Sequence, residues 1–131
     1  MVSAPSGFLS KLKNSHEELW LSIDSIQGKL NSPSALKVSW AYFQDKVVSH
    51  FRLVEEMIKV YSSDGLLSEK IAEALIVNLK DLKIKLLFLM DTIDDNNFHS
   101  LFKKFALEFP SFAKDLLAEI KMEQMFLMPD N

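Results

Sequence analysis

Two histidines, His16 and His50, and two glutamates, Glu119 and Glu123, are the residues of this chain whose types and positions could do chemistry. Each interrupts a run of apolar residues spaced alternately three and four apart. A buried imidazole or carboxylate costs several kcal/mol unless it is paired or bound to a metal. Four such groups on core-facing stripes therefore need either one another or an ion. Imidazole nitrogens and carboxylate oxygens, the carboxylates one helical turn apart, are ligand types for iron, manganese or zinc. The same groups can instead close a polar network in which histidine N–H groups donate to the carboxylates. Either chemistry requires all four to lie at one level of the fold.

The elements that must position them are four helices, predicted at about 8–31, 34–61, 66–93 and 97–127. The breaks are Ser32-Pro33-Ser34, Ser62-Ser63-Asp64-Gly65 and Asp94-Asp95-Asn96-Asn97, each carrying residues suited to ending or capping a helix. Between them the apolar stripes run Leu9, Leu12, His16, Leu19, Ile23, Ile26, Leu30; then Leu36, Trp40, Phe43, Val47, His50, Val54, Met57, Tyr61. The third runs Ala72, Leu75, Leu79, Leu82, Leu86, Leu89, Ile93, and the fourth Phe98, Phe102, Phe105, Phe109, Phe112, Leu116, Glu119, Glu123, Phe126. Spacing of this kind keeps one face of each helix toward a shared core. Long helices joined by short loops imply an all-α, up-down-up-down antiparallel four-helix bundle as one domain over 1–131. Counted from the end holding the termini, the four polar residues spread over about 10 Å, or two turns, so they can form one cluster. Pro110 is expected to kink or break the last helix. A shifted stripe of Ala113, Leu117, Ile120, Gln124 and Leu127 would then move both glutamates to the flank.

Composition bounds what the cluster can serve. The chain has 131 residues, 48% hydrophobic and 25% charged, enough apolar material for one core. Three glycines, four prolines and a single threonine leave too few turn residues for a β-sandwich. The absence of cysteine excludes disulfides, iron–sulfur clusters and thiolate zinc. A net charge of −3, with Arg52 as the one arginine, argues against nucleic acid. No apolar run is long enough to cross a membrane, and Met1 to Gly7 lacks the pattern of a secretory leader, so a cytoplasmic location is expected. Neither a Ser-His-Asp pattern nor a phosphate-binding glycine loop is present, and an enzyme is not expected.

Two short motifs carry a family resemblance. His50-Phe51-Arg52-Leu53-Val54-Glu55-Glu56-Met57 resembles the second-helix signature of hemerythrin-like domains, a His-Phe followed by a glutamate pair. The stretch from Glu119-Ile120 through Glu123 to Leu127-Met128-Pro129 is similar to that family's closing segment, in which a His-Ile is followed four residues after the histidine by a ligand carboxylate. His16 matches the first ligand. The resemblance implies a four-helix bundle holding a non-haem di-iron pair through about five histidines and two bridging carboxylates, and handling dioxygen, nitric oxide or iron. Carried over to this chain, it keeps His16, His50 and Glu123. It also shows three departures. Val54 stands where a bridging glutamate belongs, Glu119 replaces a histidine, and the third-helix histidine pair is missing, with Glu69 and Glu73 at about the right distance from His50; beside the seam and near a helix start, both read as a solvated first turn. A complete di-iron site is therefore not expected.

Two functions remain open at this point. One is a binding or sensing module holding a single ion through His16, His50, Glu119 and Glu123, with Glu73 as a fifth ligand. The other is a metal-free bundle serving protein–protein interaction or homodimerisation, with the same residues as a buried network and a pocket beside Val54 for a small apolar guest. The many phenylalanines, with Met122, Met125 and Met128, are read as core, any excess marking a dimer or partner surface. His99 reads as a surface residue, and Asp91 to Asp95 as capping rather than a calcium loop.

Overall fold

The helix ends follow from local chemistry at the predicted breaks. Ser32 occupies the N-cap of the second helix in an extended conformation, and Pro33 supplies a first-turn residue with no N–H to satisfy. The Ser32 side chain makes no capping bond; its carbonyl accepts from Leu36 N–H at 2.9 Å. At the other end Gly65 adopts φ +75°. Its N–H and that of Leu66 turn back to the carbonyls of Ser62 and Tyr61 at 3.2 and 2.8 Å. That is a Schellman closure, and it needs the glycine because a Cβ disfavours positive φ. Ser68 then caps the third helix, its Oγ accepting from Ile71 N–H at 3.2 Å, while Glu69 in the first turn complements the helix dipole.

The structure is a computed structural model that describes residues 6–92 and 98–128. The chain folds into four α-helices: α1 (Ser6–Gln27), α2 (Pro33–Ser63), α3 (Glu69–Thr92) and α4 (Phe98–Leu127). No strand occurs among the described residues. The predicted third break at Asp94 to Asn97, the helix end at Ile93, and the side chains of Phe98, His99 and Phe102 lie outside what is described. No helix is long and apolar enough to cross a membrane.

The helices surround one core. α1 packs chiefly on α2 and α3 chiefly on α4, with thinner contacts joining α2 to α3 and α4, and α1 to α4. Ion pairs stitch the neighbours at the surface: Lys46 to Glu18 at 2.6 Å, Lys83 to Glu55, and Lys85 to Asp115 at 2.8 Å. Exposed pairs of this kind contribute little individually. Stability comes from the stripes, whose described apolar members are buried, apart from Leu9, Leu30 and Phe126, which pack partly buried against the core. Trp40, Phe43, Phe105, Phe109 and Phe112 form a contiguous aromatic layer with ring centroids 4.9 to 6.2 Å apart, mostly edge to face.

Of the kink or break expected at Pro110, the break does not occur. Helix continues from Phe98 to Leu127, with Pro110 itself on the exposed side. There the ring meets solvent rather than core. Phe112, Leu116, Glu119 and Glu123 therefore stay buried, and Ala113, Ile120 and Leu127 are buried beside them. The two stripes that seemed alternatives are halves of one wide face. Not every large apolar residue is covered: Phe88, Leu107 and Met125 are exposed, whereas Met128 is buried.

Phe109→Ala, in the aromatic layer, should cost about 3–5 kcal/mol of unfolding free energy. Leu107→Ala, two residues away on the exposed face, should stay within about 0.5 kcal/mol. Urea unfolding of the two variants against the parent checks the phase of α4 on the N-terminal side of Pro110.

Candidate metal centre

Three helices bring the predicted polar residues together. α1 contributes His16, α2 His50, and α4 Glu119 and Glu123; the relative exposures are 1%, 0%, 0% and 0%. They are the buried titratable histidines and carboxylates among the described residues. The cluster lies about two turns from the aromatic layer, since seven residues separate Phe43 from His50 and Phe112 from Glu119.

Glu123 is the hub. Its Oε1 accepts from His16 Nε2 and from His50 Nε2, each at 2.8 Å, and the two rings stand 5.3 Å apart. Ser15 Oγ donates to His50 Nδ1 at 2.7 Å, fixing the tautomer that leaves Nε2–H for the glutamate. Glu119, one turn before Glu123, accepts at Oε1 from the amide of Asn78 on α3 at 2.6 Å. Every helix thus supplies at least one polar group. Three buried atoms of the cluster meet no amide, imidazole or alcohol partner: His16 Nδ1, Glu119 Oε2 and Glu123 Oε2.

The two carboxyls are driven apart in acidity. Burial pushes Glu119 far above its ordinary 4.5, the adjacent Glu123 carboxylate pushes it further, and the Asn78 amide only partly opposes them. Burial also acts to raise Glu123, but hydrogen bonds from His16, His50 and Glu119 outweigh it and hold the group below the usual carboxylate range. Without an ion, Glu119 is a neutral acid donating toward an ionised Glu123.

No protein-family model, curated protein or solved structure matches the chain. The donor set is therefore read from its own chemistry. One ligand atom from each of His16, His50 and Glu123 converges, all three within 4.8 Å of one another. Two imidazoles and a carboxylate on one point suit a single divalent ion such as iron, manganese or zinc, and the second oxygen of the Glu123 carboxylate has no amide, imidazole or alcohol partner; Glu119, expected as a ligand, is buried one turn away but is not in this group. Val54 is fully buried at the position of the expected bridge and offers no donor atom.

Glu73, the expected fifth ligand, is not in this group. It is exposed on α3, as is Glu69 in that helix's first turn, because both fall off the stripe of Ala72, Leu75 and Leu79. The residues that sequence reasoning missed are Ser15 and Asn78. Both flank a stripe, Ser15 next to His16 and Asn78 next to Leu79, and a half-buried polar residue beside a seam carries no periodic signal of its own.

The sign of the pH dependence follows from these shifts for the metal-free protein. Glu119, raised in the folded state, contributes stability that is complete below about pH 4.5 and is lost as pH climbs toward its folded value. Glu123, depressed, contributes stability present above that range and lost on acidification. Glu119→Gln mimics the neutral acid, keeping an acceptor for Asn78 and a donor for Glu123. It should be more stable than the parent by about 1–3 kcal/mol near pH 8, the gap closing toward pH 4. Urea midpoints at the two pH values, measured with chelator present, check this; a gap that does not shrink on acidification contradicts it.

Proposed function

We propose that this chain is a hemerythrin-like, up-down-up-down four-helix bundle with a reduced centre, and that it binds one divalent transition-metal ion as a binding or sensing module rather than an enzyme. The observation that carries the reading is the convergence of His16, His50 and Glu123 ligand atoms within 4.8 Å in a fully buried setting. Ser15 orients the His50 ring from behind, as outer partners of metal-bound histidines do. Glu119 adds a second carboxyl one turn away. Iron is the ion that the family resemblance favours, and manganese and zinc suit the same donors. A bound ion of this class would supply a Lewis-acidic position for a small ligand such as dioxygen or nitric oxide. The protein's part is to hold the two imidazoles and the carboxylate in place and to keep bulk water away.

A second reading has its own support. Glu123 Oε1 already accepts from both histidines, and both ring nitrogens of His50 are bonded, so the network closes with protons alone apart from three atoms. In that case the bundle is metal-free, and its work is done on the surface, with a protein partner or a second copy.

Metal content after incubation with Fe(II), Mn(II) or Zn(II) and desalting separates them. The first reading expects close to one ion per chain, none in His50→Ala, and a melting temperature raised by metal only in the parent. At an ion concentration a hundred times Kd that rise corresponds to about 2.7 kcal/mol. The second expects no uptake, with His50→Ala destabilised by about 1–3 kcal/mol whatever metal is supplied.

A further inference from the structure

Two surface grooves flank the buried centre, and they differ in chemistry. Between α1 and α4 a cavity of about 440 Å³ has His16 in its wall beside Trp20 and Met128, with Lys13 and Glu17 opposing one another in charge. Between α3 and α4 a cavity of about 650 Å³ is lined by Glu73, Asn78 and Asp81, together with Lys70 and Met122. The second groove leads inward through oxygen-bearing groups. Glu73 and Asp81 stand at its wall, Asn78 is half-buried between them, and the Asn78 amide touches Glu119 at 2.6 Å. Glu119 lies one helical turn before Glu123, the hub of the centre, and is buried with it.

Resting on the single-ion reading above, we propose that the divalent ion reaches the centre through this α3–α4 groove, with Asn78 as its gate. A hydrated dication gives up water in steps, and a run of carboxylate and amide oxygens replaces that water one ligand at a time. Lys70 shares the wall, and Lys85 pairs with Asp81 at 2.9 Å, so the groove's net charge is modest. The position of Asn78 carries the inference. It is the side chain that faces the groove on one side and hydrogen-bonds the buried carboxyl on the other. The α1–α4 groove also carries oxygens, on Glu17 and Gln124, but Lys13 offsets the carboxylate and the groove meets the centre at His16, whose Nδ1 is sealed from solvent. Its tryptophan and methionine suit a neutral, apolar guest instead.

A gate changes the rates of uptake and release together and leaves the equilibrium alone. The experiment uses the full chain and Co(II), whose absorption reports ligation, with stopped-flow uptake and chelator-driven release. Asn78→Ala, which opens the passage, should speed both rates, and Asn78→Leu, which plugs it with an apolar group, should slow both. The expected size is about tenfold each, the kinetic equivalent of one hydrogen bond made or lost, with Kd unchanged. Gln124→Leu, in the wall of the other groove, should leave both rates as in the parent. Circular dichroism of each variant establishes that it is folded. Rates that respond to Gln124→Leu and not to the Asn78 pair would overturn the proposal in favour of the α1–α4 side. A changed Kd with unchanged uptake would also overturn it, reducing Asn78 to a residue that positions Glu119. If the parent takes up no Co(II) at equilibrium, the single-ion reading itself fails, which is a different result from normal binding with insensitive rates.

Discussion

An ionised carboxylate in the middle of an apolar helical core is the constraint around which the other choices in this structure are arranged. Glu123 is fully buried, and an isolated charge there would cost far more than the net stability of a small domain. Two imidazole N–H groups on a single oxygen make it tolerable. Those donors come from α1 and α2 while the acceptor is on α4, so the hydrogen bonds also fix how these three helices stand with respect to each other. Apolar stripes alone leave such freedom open, because leucine and phenylalanine pack adequately in several registers. A buried polar contact has one geometry that satisfies it.

The same constraint explains the second carboxyl. A negative charge at Glu119, one turn from Glu123, would double the problem. The fold's response is to keep Glu119 protonated, tied to Asn78 on one side and to Glu123 on the other. α3 joins the centre through that amide. The aromatic layer two turns away, built from Trp40, Phe43 and three phenylalanines of α4, anchors the other half of the core through shape rather than charge.

Much of this was legible in the sequence, and the part that was not has a physical reason. Helix number, the two described breaks and the buried faces follow from three/four spacing, which is a direct imprint of 3.6 residues per turn. His16, His50, Glu119 and Glu123 stood out because they broke that spacing, and all four are buried. The effect of Pro110 was not legible because its cost depends on which side of the helix the ring occupies, which the pattern does not encode; on the solvent face the helix passes through without a break. Glu73 is exposed, as a residue beside the seam and near a helix start is, and is not in the ligand group. Distance along the chain put it near the right level, but one residue is a 100° rotation on a helix, enough to carry a side chain from core to solvent. Asn78 and Ser15 escaped notice because their polarity looks ordinary for flank positions, and only the tertiary partner gives it meaning.

Charge counting connects the centre's two states. With protons alone, the ionised Glu123 is the charge that the centre must accommodate, and hydrogen bonds from the two imidazoles hold it. On the single-ion reading proposed above, a divalent ion among His16, His50 and Glu123 would take over the part that the two N–H donors play toward the carboxylate. The buried carboxylate therefore asks for two N–H donors or, on the proposed reading, one ion in their place, and Glu119 keeps the proton that spares the core a second charge.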